Sequence, residues 1–135
     1  MSFLLDTNVV AEVRKRRPQP AVSAWFDSAE GSQLYLSVLV LGEVNQGVAR
    51  LRRRDPRQAA AYAAWLERLR SAFADRLLPI TETIALEWGR LNAARPLPVV
   101  DGLLAATARV HTLTLVTRNV TDFAGVDVAV LNPFA

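Results

Sequence analysis

The sequence predicts an α/β fold, in which a parallel β-sheet of about five strands carries helices on both faces. Short, continuous apolar runs alternate along the chain with longer segments that have helical amphipathic periodicity. Apolar runs without polar alternation are typical of strands that are buried on both faces. The length of 135 residues suits one domain with a real core, so we expect a single domain over residues 1–135.

Five apolar runs predict the strands, at residues 3–5, 34–38, 77–80, 113–116 and 126–131. The first run ends directly at Asp6, and we expect Thr7 or Asn8 to cap the helix that follows. A polar junction over residues 117–123 separates the last two strands. Side chains just after a strand of this kind are expected at the carboxyl edge of the sheet, where open α/β sheets carry their sites.

Amphipathic segments predict six helices, at residues 9–17, 21–30, 39–53, 56–75, 82–95 and 99–111. Pro18 and Pro20 end the first of them. Pro56 separates the third from the fourth, and we expect these two to form an antiparallel hairpin. Thr81 is the predicted N-cap of the fifth helix.

Composition limits the classes of function. The chain has no cysteine, which excludes disulfides and thiolate metal sites. No apolar run is long enough for a membrane span, and no signal-peptide pattern precedes the first strand, so we expect a cytoplasmic protein without a membrane partner. The net charge is +3, and 15 of the 16 basic residues are arginine, which suits phosphate binding.

The arginines are concentrated in one run, Arg50, Arg52, Arg53, Arg54 and Arg57. Two interpretations stay open. The run is either a contact for RNA phosphates, or a solvated helix end that faces water or the acidic residues of a partner protein.

Four acidic residues share one context, because each lies just after an apolar strand or near the start of an apolar helix: Asp6, Glu43, Asp101 and Asp122. If the sheet is doubly wound, the strands at 3–5 and 113–116 flank its switch point, and Asp6 and Asp122 reach one crevice. Each acid also has a structural explanation, as a helix cap, a solvated helix residue or a turn residue. One topology aims all four at the same edge, which favours a shared site.

Such a cluster needs a counter-charge, because neighbouring carboxylates repel one another and raise each other's pKa. The lone lysine, Lys15, lies in a surface-like basic run, and we expect the one histidine, His111, to be structural. A divalent cation is the natural solution, and an oxygen-only ligand set suits Mg²⁺ or Mn²⁺. Phosphodiester hydrolysis is the chemistry that fits this arrangement best.

Four motifs in order carry a resemblance to a known family: LLDTN at residues 4–8, LGE at 41–43, DGLLAATA at 101–108 and LVTRNVTDF at 115–123. They resemble the PIN domain, and more closely the VapC toxins of bacterial toxin–antitoxin pairs, including the FitB-like members. The resemblance extends to DVAVLNPF at residues 127–134 and so covers essentially the whole chain.

The resemblance implies a PIN fold, a Mg²⁺- or Mn²⁺-dependent endoribonuclease, a homodimer, and a cognate VapB-like antitoxin that occludes the active site. Asp6, Glu43 and Asp101 match the acidic triad of the family. The fourth position is Asp122 or Asn119, of which we favour Asp122 as the carboxylate and Asn119 as an amide helper. The residues that would hold the carboxylates in place are Thr7, Asn8, Ser37 and Thr117.

The mechanistic hypothesis assigns one Mg²⁺ to Asp6 and Asp101, with Glu43 and Asp122 completing its shell through water or binding a second ion. Water then attacks the scissile phosphate in line and leaves a 5′-phosphate and a 3′-hydroxyl. The alternatives are a metal-dependent DNase and a catalytically weak PIN-like binding module. A response-regulator receiver is disfavoured, because it needs a lysine where this chain has Thr117 and Arg118.

Overall fold

A computed structural model describes residues 1–135 and contains one five-stranded sheet in which every strand pair is parallel. The strand order is β3-β2-β1-β4-β5. The strands are β1 (Phe3–Leu5), β2 (Leu34–Ser37), β3 (Leu77–Leu78), β4 (Thr114–Val116) and β5 (Val130–Leu131). The predicted parallel sheet of about five strands is therefore confirmed.

Six α-helices connect or follow these strands: α1 (Thr7–Arg14), α2 (Pro20–Ser28), α3 (Val38–Arg54), α4 (Pro56–Ala72), α5 (Glu82–Ala94) and α6 (Val99–Val110). Short 3₁₀ helices cover Gly31–Gln33 and Val120–Phe123. The predicted cap of α5 is confirmed, because Thr81 Oγ1 accepts a hydrogen bond from the backbone N–H of Ile84 at 3.2 Å. No helix is both long and apolar enough to cross a membrane.

Strand β1 lies at the centre of the sheet, between β2 and β4. In the register, Phe3 pairs with Leu34 of β2 on one side and with Thr114 of β4 on the other. The chain passes from β1 to β2 and later returns to β4, so the order reverses between β1 and β4. This is the switch point that the sequence predicted, and ligands in open α/β sheets bind outside the strand ends at such a point.

Apolar side chains alternate between two cores, one on each face of the sheet. Leu5 and Val116 belong to the core beneath α1, α2, α3 and α4, whereas Leu4 and Leu115 belong to the core beneath α5 and α6. All four side chains are completely buried. Helices on both faces thus explain why the strands are continuous apolar runs.

Helices α3 and α4 form the predicted antiparallel hairpin. The ring of Tyr62 in α4 packs directly over Gly47 of α3, where an added Cβ would lie 3.3 Å from the ring. Nearer the other end of the pair, Leu41 and Leu66 line one surface groove together. Asp55 joins the two helices and caps α4 by accepting a 3.1 Å hydrogen bond from the backbone N–H of Gln58.

Several predicted bounds were wrong, because α1 ends at Arg14 and not at residue 17, α4 ends at Ala72 and not at residue 75, and β3 covers only Leu77–Leu78 and not residues 77–80. Two further differences concern the start of α1 and the last strand. Helix α1 begins at Thr7, and its N-cap is Asp6 rather than Thr7 or Asn8. The last strand is only Val130–Leu131, although the sequence predicted residues 126–131. Before it the chain turns, because the backbone N–H of Val126 donates to the Phe123 carbonyl oxygen and that of Val128 to the Val126 carbonyl oxygen, and of this stretch the Ala129 carbonyl oxygen bonds to β4. Arg109 Nη1 also donates a 2.6 Å hydrogen bond to the carbonyl oxygen of Asp127.

Candidate active site

Asp6 lies at the carboxyl end of β1 and is buried, with only 6% of its surface exposed. Its Oδ1 accepts a 2.7 Å hydrogen bond from the backbone N–H of Thr7, which caps α1. Its Oδ2 accepts a 2.8 Å hydrogen bond from Thr117 Oγ1. Burial raises the pKa of the Asp6 carboxyl above its usual value, and these two hydrogen bonds oppose that shift only in part.

Thr117 follows β4 and is completely buried. Its hydroxyl oxygen accepts hydrogen bonds from the backbone N–H of Asn119 at 3.1 Å and from Asn8 Nδ2 at 3.3 Å. Both donors can only donate, so the hydroxyl proton of Thr117 is directed at Asp6. Asn8 also accepts a 3.2 Å hydrogen bond from the backbone N–H of Arg118, which joins the start of α1 to the junction after β4.

Glu43 is the sixth residue of α3 and is half-buried. Its Oε1 accepts a 2.6 Å hydrogen bond from Thr7 Oγ1, so Glu43 faces the start of α1 and the end of β1. Ser37, which we expected to support a carboxylate, instead caps α3 by accepting a 3.0 Å hydrogen bond from the backbone N–H of Leu39. Thr7, Asn8 and Thr117 thus donate hydrogen bonds to acidic side chains, whereas Ser37 caps α3.

Asp101 is the third residue of α6, and it is not a helix cap. The N-cap position is held by Pro98, and the Asp101 carboxylate makes no hydrogen bond. Burial raises the pKa of the Asp101 carboxyl, and the charges of Asp6, Asp122 and Glu43 raise it further, in that order. Asp101 therefore lies within electrostatic reach of the other three predicted carboxylates, at the carboxyl edge of the sheet.

Asp122 and Asn119 belong to the junction after β4, and both are exposed. Asp122 lies in the 3₁₀ helix Val120–Phe123, which is held by a 2.7 Å hydrogen bond from Arg95 Nη1 to the Asp122 carbonyl oxygen. The Asn119 backbone binds Thr117, and its side-chain amide makes no hydrogen bond within the protein. Either side chain is available to a ligand, and Asp122 is the one that acts electrostatically on Asp101.

The donor set of this cluster fits a hard divalent cation. Six ion pairs occur in the protein, and none includes Asp6, Glu43, Asp101 or Asp122, so their charges have no partner in the chain. Carboxylate oxygens are the ligands that Mg²⁺ and Mn²⁺ prefer. As the side chains stand, no three acidic groups are close enough to hold one ion. Binding therefore requires side-chain movement and water ligands, which Mg²⁺ usually retains.

Sequence reasoning missed one feature of the site, the contact between Gly102 and Trp88. A Cβ on Gly102 would lie 2.9 Å from Trp88 Cδ1 and Nε1, closer than real side chains approach. Glycine at this position lets α5 and α6 pack closely, and it directly follows Asp101. The glycine after the acid in DGLLAATA was the available signal, but its partner lies on another helix and could not be read from the sequence.

The other predicted residues lie away from the carboxylates. The arginines of the run are all exposed, on the second half of α3 and the first turn of α4: Arg50, Arg52, Arg53, Arg54 and Arg57. His111 is exposed at the end of α6 and makes no side-chain hydrogen bond.

Comparison with known proteins identifies the class. The model of the PIN-domain family, described as "PIN domain", matches residues 3–128. The chain is 34% identical to toxin FitB of Neisseria gonorrhoeae over 98% of each chain. It is 31% identical to VapC ribonuclease Y4jK of Sinorhizobium fredii, over 98% of this chain and 97% of the relative.

The fold agrees with these relatives. The crystal structure of FitAcB from Neisseria gonorrhoeae superposes with a TM-score of 0.89 at 35% identity, covering 98% of both chains. An all-parallel sheet with an acidic cluster at its switch point thus belongs to a known class of α/β proteins. The chain is a member of the PIN-domain family, and the resemblance to the VapC group with its FitB-like members is confirmed.

Proposed function

We propose that this chain is the toxin of a type II toxin–antitoxin pair and acts as a Mg²⁺- or Mn²⁺-dependent endoribonuclease. What supports this proposal is that Asp101 lies within electrostatic reach of Asp6, Glu43 and Asp122, and that none of the four carboxylates forms an ion pair with a cation of the chain. We treat residues 1–135 as a single PIN domain, and we place it in the cytoplasm, where RNA is accessible.

The relatives support the substrate and the partner. One is named a VapC ribonuclease and another toxin FitB, and a neighbour in fold is a complex of FitAB bound to a DNA fragment. At 31 to 34% identity over nearly the full length, the same chemistry is expected of this chain. We therefore also propose a cognate VapB- or FitA-like antitoxin as inhibitor, and a homodimer as the toxin's own assembly.

In this proposal Asp6 and Asp101 hold the ion directly, while Glu43 and Asp122 complete its shell through water or bind a second ion. The bound cation would activate water, neutralise the phosphate and stabilise the leaving 3′ oxygen. The chain itself orients the acids. Thr117 donates to Asp6, and Thr7 donates to Glu43. Each hydrogen bond stabilises the ionised form of its carboxylate and fixes the orientation of that carboxylate group.

The test is cleavage of a labelled structured RNA and a matched DNA by protein free of antitoxin, with Mg²⁺, with Mn²⁺ and with EDTA. The Asp6→Asn variant removes the charge but keeps an acceptor for the α1 cap, so the fold is retained. Asp27→Asn is the matched control, because Asp27 is exposed on α2 and makes no hydrogen bond. We expect metal-dependent cleavage of RNA that is lost in Asp6→Asn and kept in Asp27→Asn.

The other outcomes separate the alternatives. Cleavage of DNA rather than RNA would replace the proposal by a DNase. Full activity of Asp6→Asn, or activity in EDTA, would remove the metal mechanism. A folded chain that cuts neither nucleic acid under any condition would favour a PIN-like binding module.

A further inference from the structure

A second polar surface lies on α3, separate from the carboxylates. It is an open groove of about 640 Å³, lined by Gln46, Ala49, Arg50, Arg53 and Arg54. We call it the α3 groove. Four of its five lining residues are polar, and three are arginines, whose guanidinium groups are suited to an anion.

The positive charge of the α3 groove is not neutralised within the protein. None of its three arginines takes part in an ion pair or a side-chain hydrogen bond. The nearest carboxylate in sequence, Asp55, is used to cap α4. Each guanidinium keeps five N–H donors free, in the planar geometry that binds phosphate through two hydrogen bonds at once.

Two of the three groove arginines, Arg50 and Arg54, lie on the same side of α3 as Glu43, and Arg53, ten residues beyond Glu43, lies about a quarter turn round the helix. Arg50 is seven residues beyond Glu43 and Arg54 is eleven, close to two and three full helical turns. The groove arginines therefore begin about 10 Å along the helix from Glu43 and extend to about 16 Å. Gln46, one turn from Glu43, is exposed between the two sites. One face of one helix thus leads from a carboxylate of the candidate active site to the guanidinium groups.

The remaining arginines of the run do not share this position. Arg52 is nine residues from Glu43, or two and a half turns, so it projects from the opposite side of α3. Arg57 is the second residue of α4. Neither lines the groove. Arg52, Arg53 and Arg54 lie in the last turn of α3. Basic residues there stabilise the helix macrodipole, which is enough to explain their presence. It does not explain Arg50, which lies before that turn.

We propose that Arg50, Arg53 and Arg54 bind the phosphate backbone of the RNA substrate, a few nucleotides from the bond that is cut. This inference rests on the proposed ribonuclease function and adds the residues that hold the substrate. RNA is favoured over an acidic protein segment, because the groove continues along the helix face that carries Glu43. An RNA strand whose scissile phosphate lies at the carboxylates would pass over that face of α3.

The experiment measures binding apart from cleavage. A fluorescein-labelled single-stranded RNA of mixed sequence is titrated with protein in the Asp6→Asn background, and anisotropy is followed from 50 to 300 mM salt. Two variants each remove two positive charges: Arg50→Ala/Arg53→Ala in the groove and Arg52→Ala/Arg57→Ala outside it. Circular dichroism and thermal unfolding are used to check that both remain folded, which we expect because alanine favours a helix.

The groove variant is expected to bind about tenfold more weakly, with a salt slope shallower by about 1.4, which corresponds to two phosphate contacts on a single strand. The RNA affinity and salt slope of the control variant should stay close to those of the parent. An Arg50→Lys/Arg53→Lys variant, which keeps the charge but not the bidentate geometry, should fall between the two.

Equal binding by the two double alanine variants would overturn the inference. The inference would also be overturned if the groove variant kept its affinity for RNA but no longer bound a deca-glutamate peptide. The groove would then bind an acidic protein and not RNA. Failure of the unmutated chain to cut RNA would overturn the proposed function instead, and the anisotropy would still decide whether the groove binds RNA.

Discussion

Thr7 Oγ1 donates a 2.6 Å hydrogen bond to Glu43 Oε1, which joins the first residue of α1 to the sixth residue of α3. The backbone N–H of the same Thr7 donates to Asp6 Oδ1 at 2.7 Å. The two helices begin at the carboxyl ends of the neighbouring strands β1 and β2. One threonine therefore orients two of the four carboxylates, through groups that are fixed by the start of a helix.

Replacement of Thr7 by valine should weaken metal binding and cleavage by about 10- to 100-fold, the usual effect of removing a group that orients a metal ligand. Valine has nearly the shape of threonine but lacks the hydroxyl, so Glu43 loses its donor while the cap of α1 is kept. The measurement is the Mg²⁺ dependence of the cleavage rate. Thr7→Ser, which restores a hydroxyl, should recover most of the loss. Equal rates for Thr7→Val and the parent would show that Glu43 is not positioned in this way.

Most of the fold could be predicted from local pattern. Buried parallel strands have continuous apolar runs, and the five runs of this chain correspond to its five strands. The length of the last strand could not be predicted, because the segment before it is held by Arg109, which is distant in sequence. Val126 and Val128 have high β-propensity, but their backbone N–H groups donate within a turn, to Phe123 and Val126, and not to a strand.

The candidate site also combines features that could be predicted from local pattern with features that could not. The position of Asp6 follows from the end of a strand, which is a local signal. The identity of its hydrogen-bond donor does not follow from a local signal, because Thr117 lies 111 residues away in sequence. The close contact between Gly102 and Trp88 likewise joins two helices whose separation no local pattern specifies.

Gly102→Ala is expected to destabilise the protein by about 1–3 kcal/mol, the range for overpacking in a core. The added Cβ would lie 2.9 Å from the Trp88 indole, so the Trp88 ring or the two helices must shift. Because Asp101 precedes this position, cleavage should fall as well. Chemical denaturation measures the stability change.

The matched control is Gly89→Ala, on the exposed side of α5, where nothing lies within 4 Å of an added Cβ. It should stabilise the protein by about 0.5–1 kcal/mol, since alanine is the better helix former. If both substitutions have the same effect, the close packing of α5 on α6 is not what requires glycine at position 102.

Glu12 gives a pH dependence of stability that is separate from the candidate site. It is buried at the end of α1, where Lys15 Nζ donates a 2.8 Å hydrogen bond to Oε1 and the backbone N–H of Gln19 donates one at 3.0 Å to Oε2. These bonds, with that of Lys15 the larger, lower the pKa of Glu12 below its ordinary 4.5. The ionised form is therefore favoured by folding.

The stabilisation is present above pH 4.5 and is lost as the pH falls through the lowered pKa of the folded state. At pH 7 we expect Glu12→Gln to unfold a few degrees below the parent, and the difference should be smaller at pH 3. Thermal unfolding at both pH values measures this. A difference that is the same at pH 3 and pH 7 would mean that the side chain acts through packing and not through its charge.

Asp101→Asn should reverse its effect on stability when metal is added. In EDTA the Asp101 carboxylate is partly desolvated and repelled by Asp6, Asp122 and Glu43, so the neutral amide should raise the unfolding temperature by a few degrees. With saturating Mg²⁺ the parent gains stability from ligand binding, whereas the variant lacks a ligand and gains little. Asp27→Asn, on the exposed side of α2, should match the parent in both conditions. A parent that shows no Mg²⁺-dependent shift, or a variant that is less stable than the parent in EDTA, would contradict the interpretation of the cluster as a cation site whose charge the chain leaves unpaired.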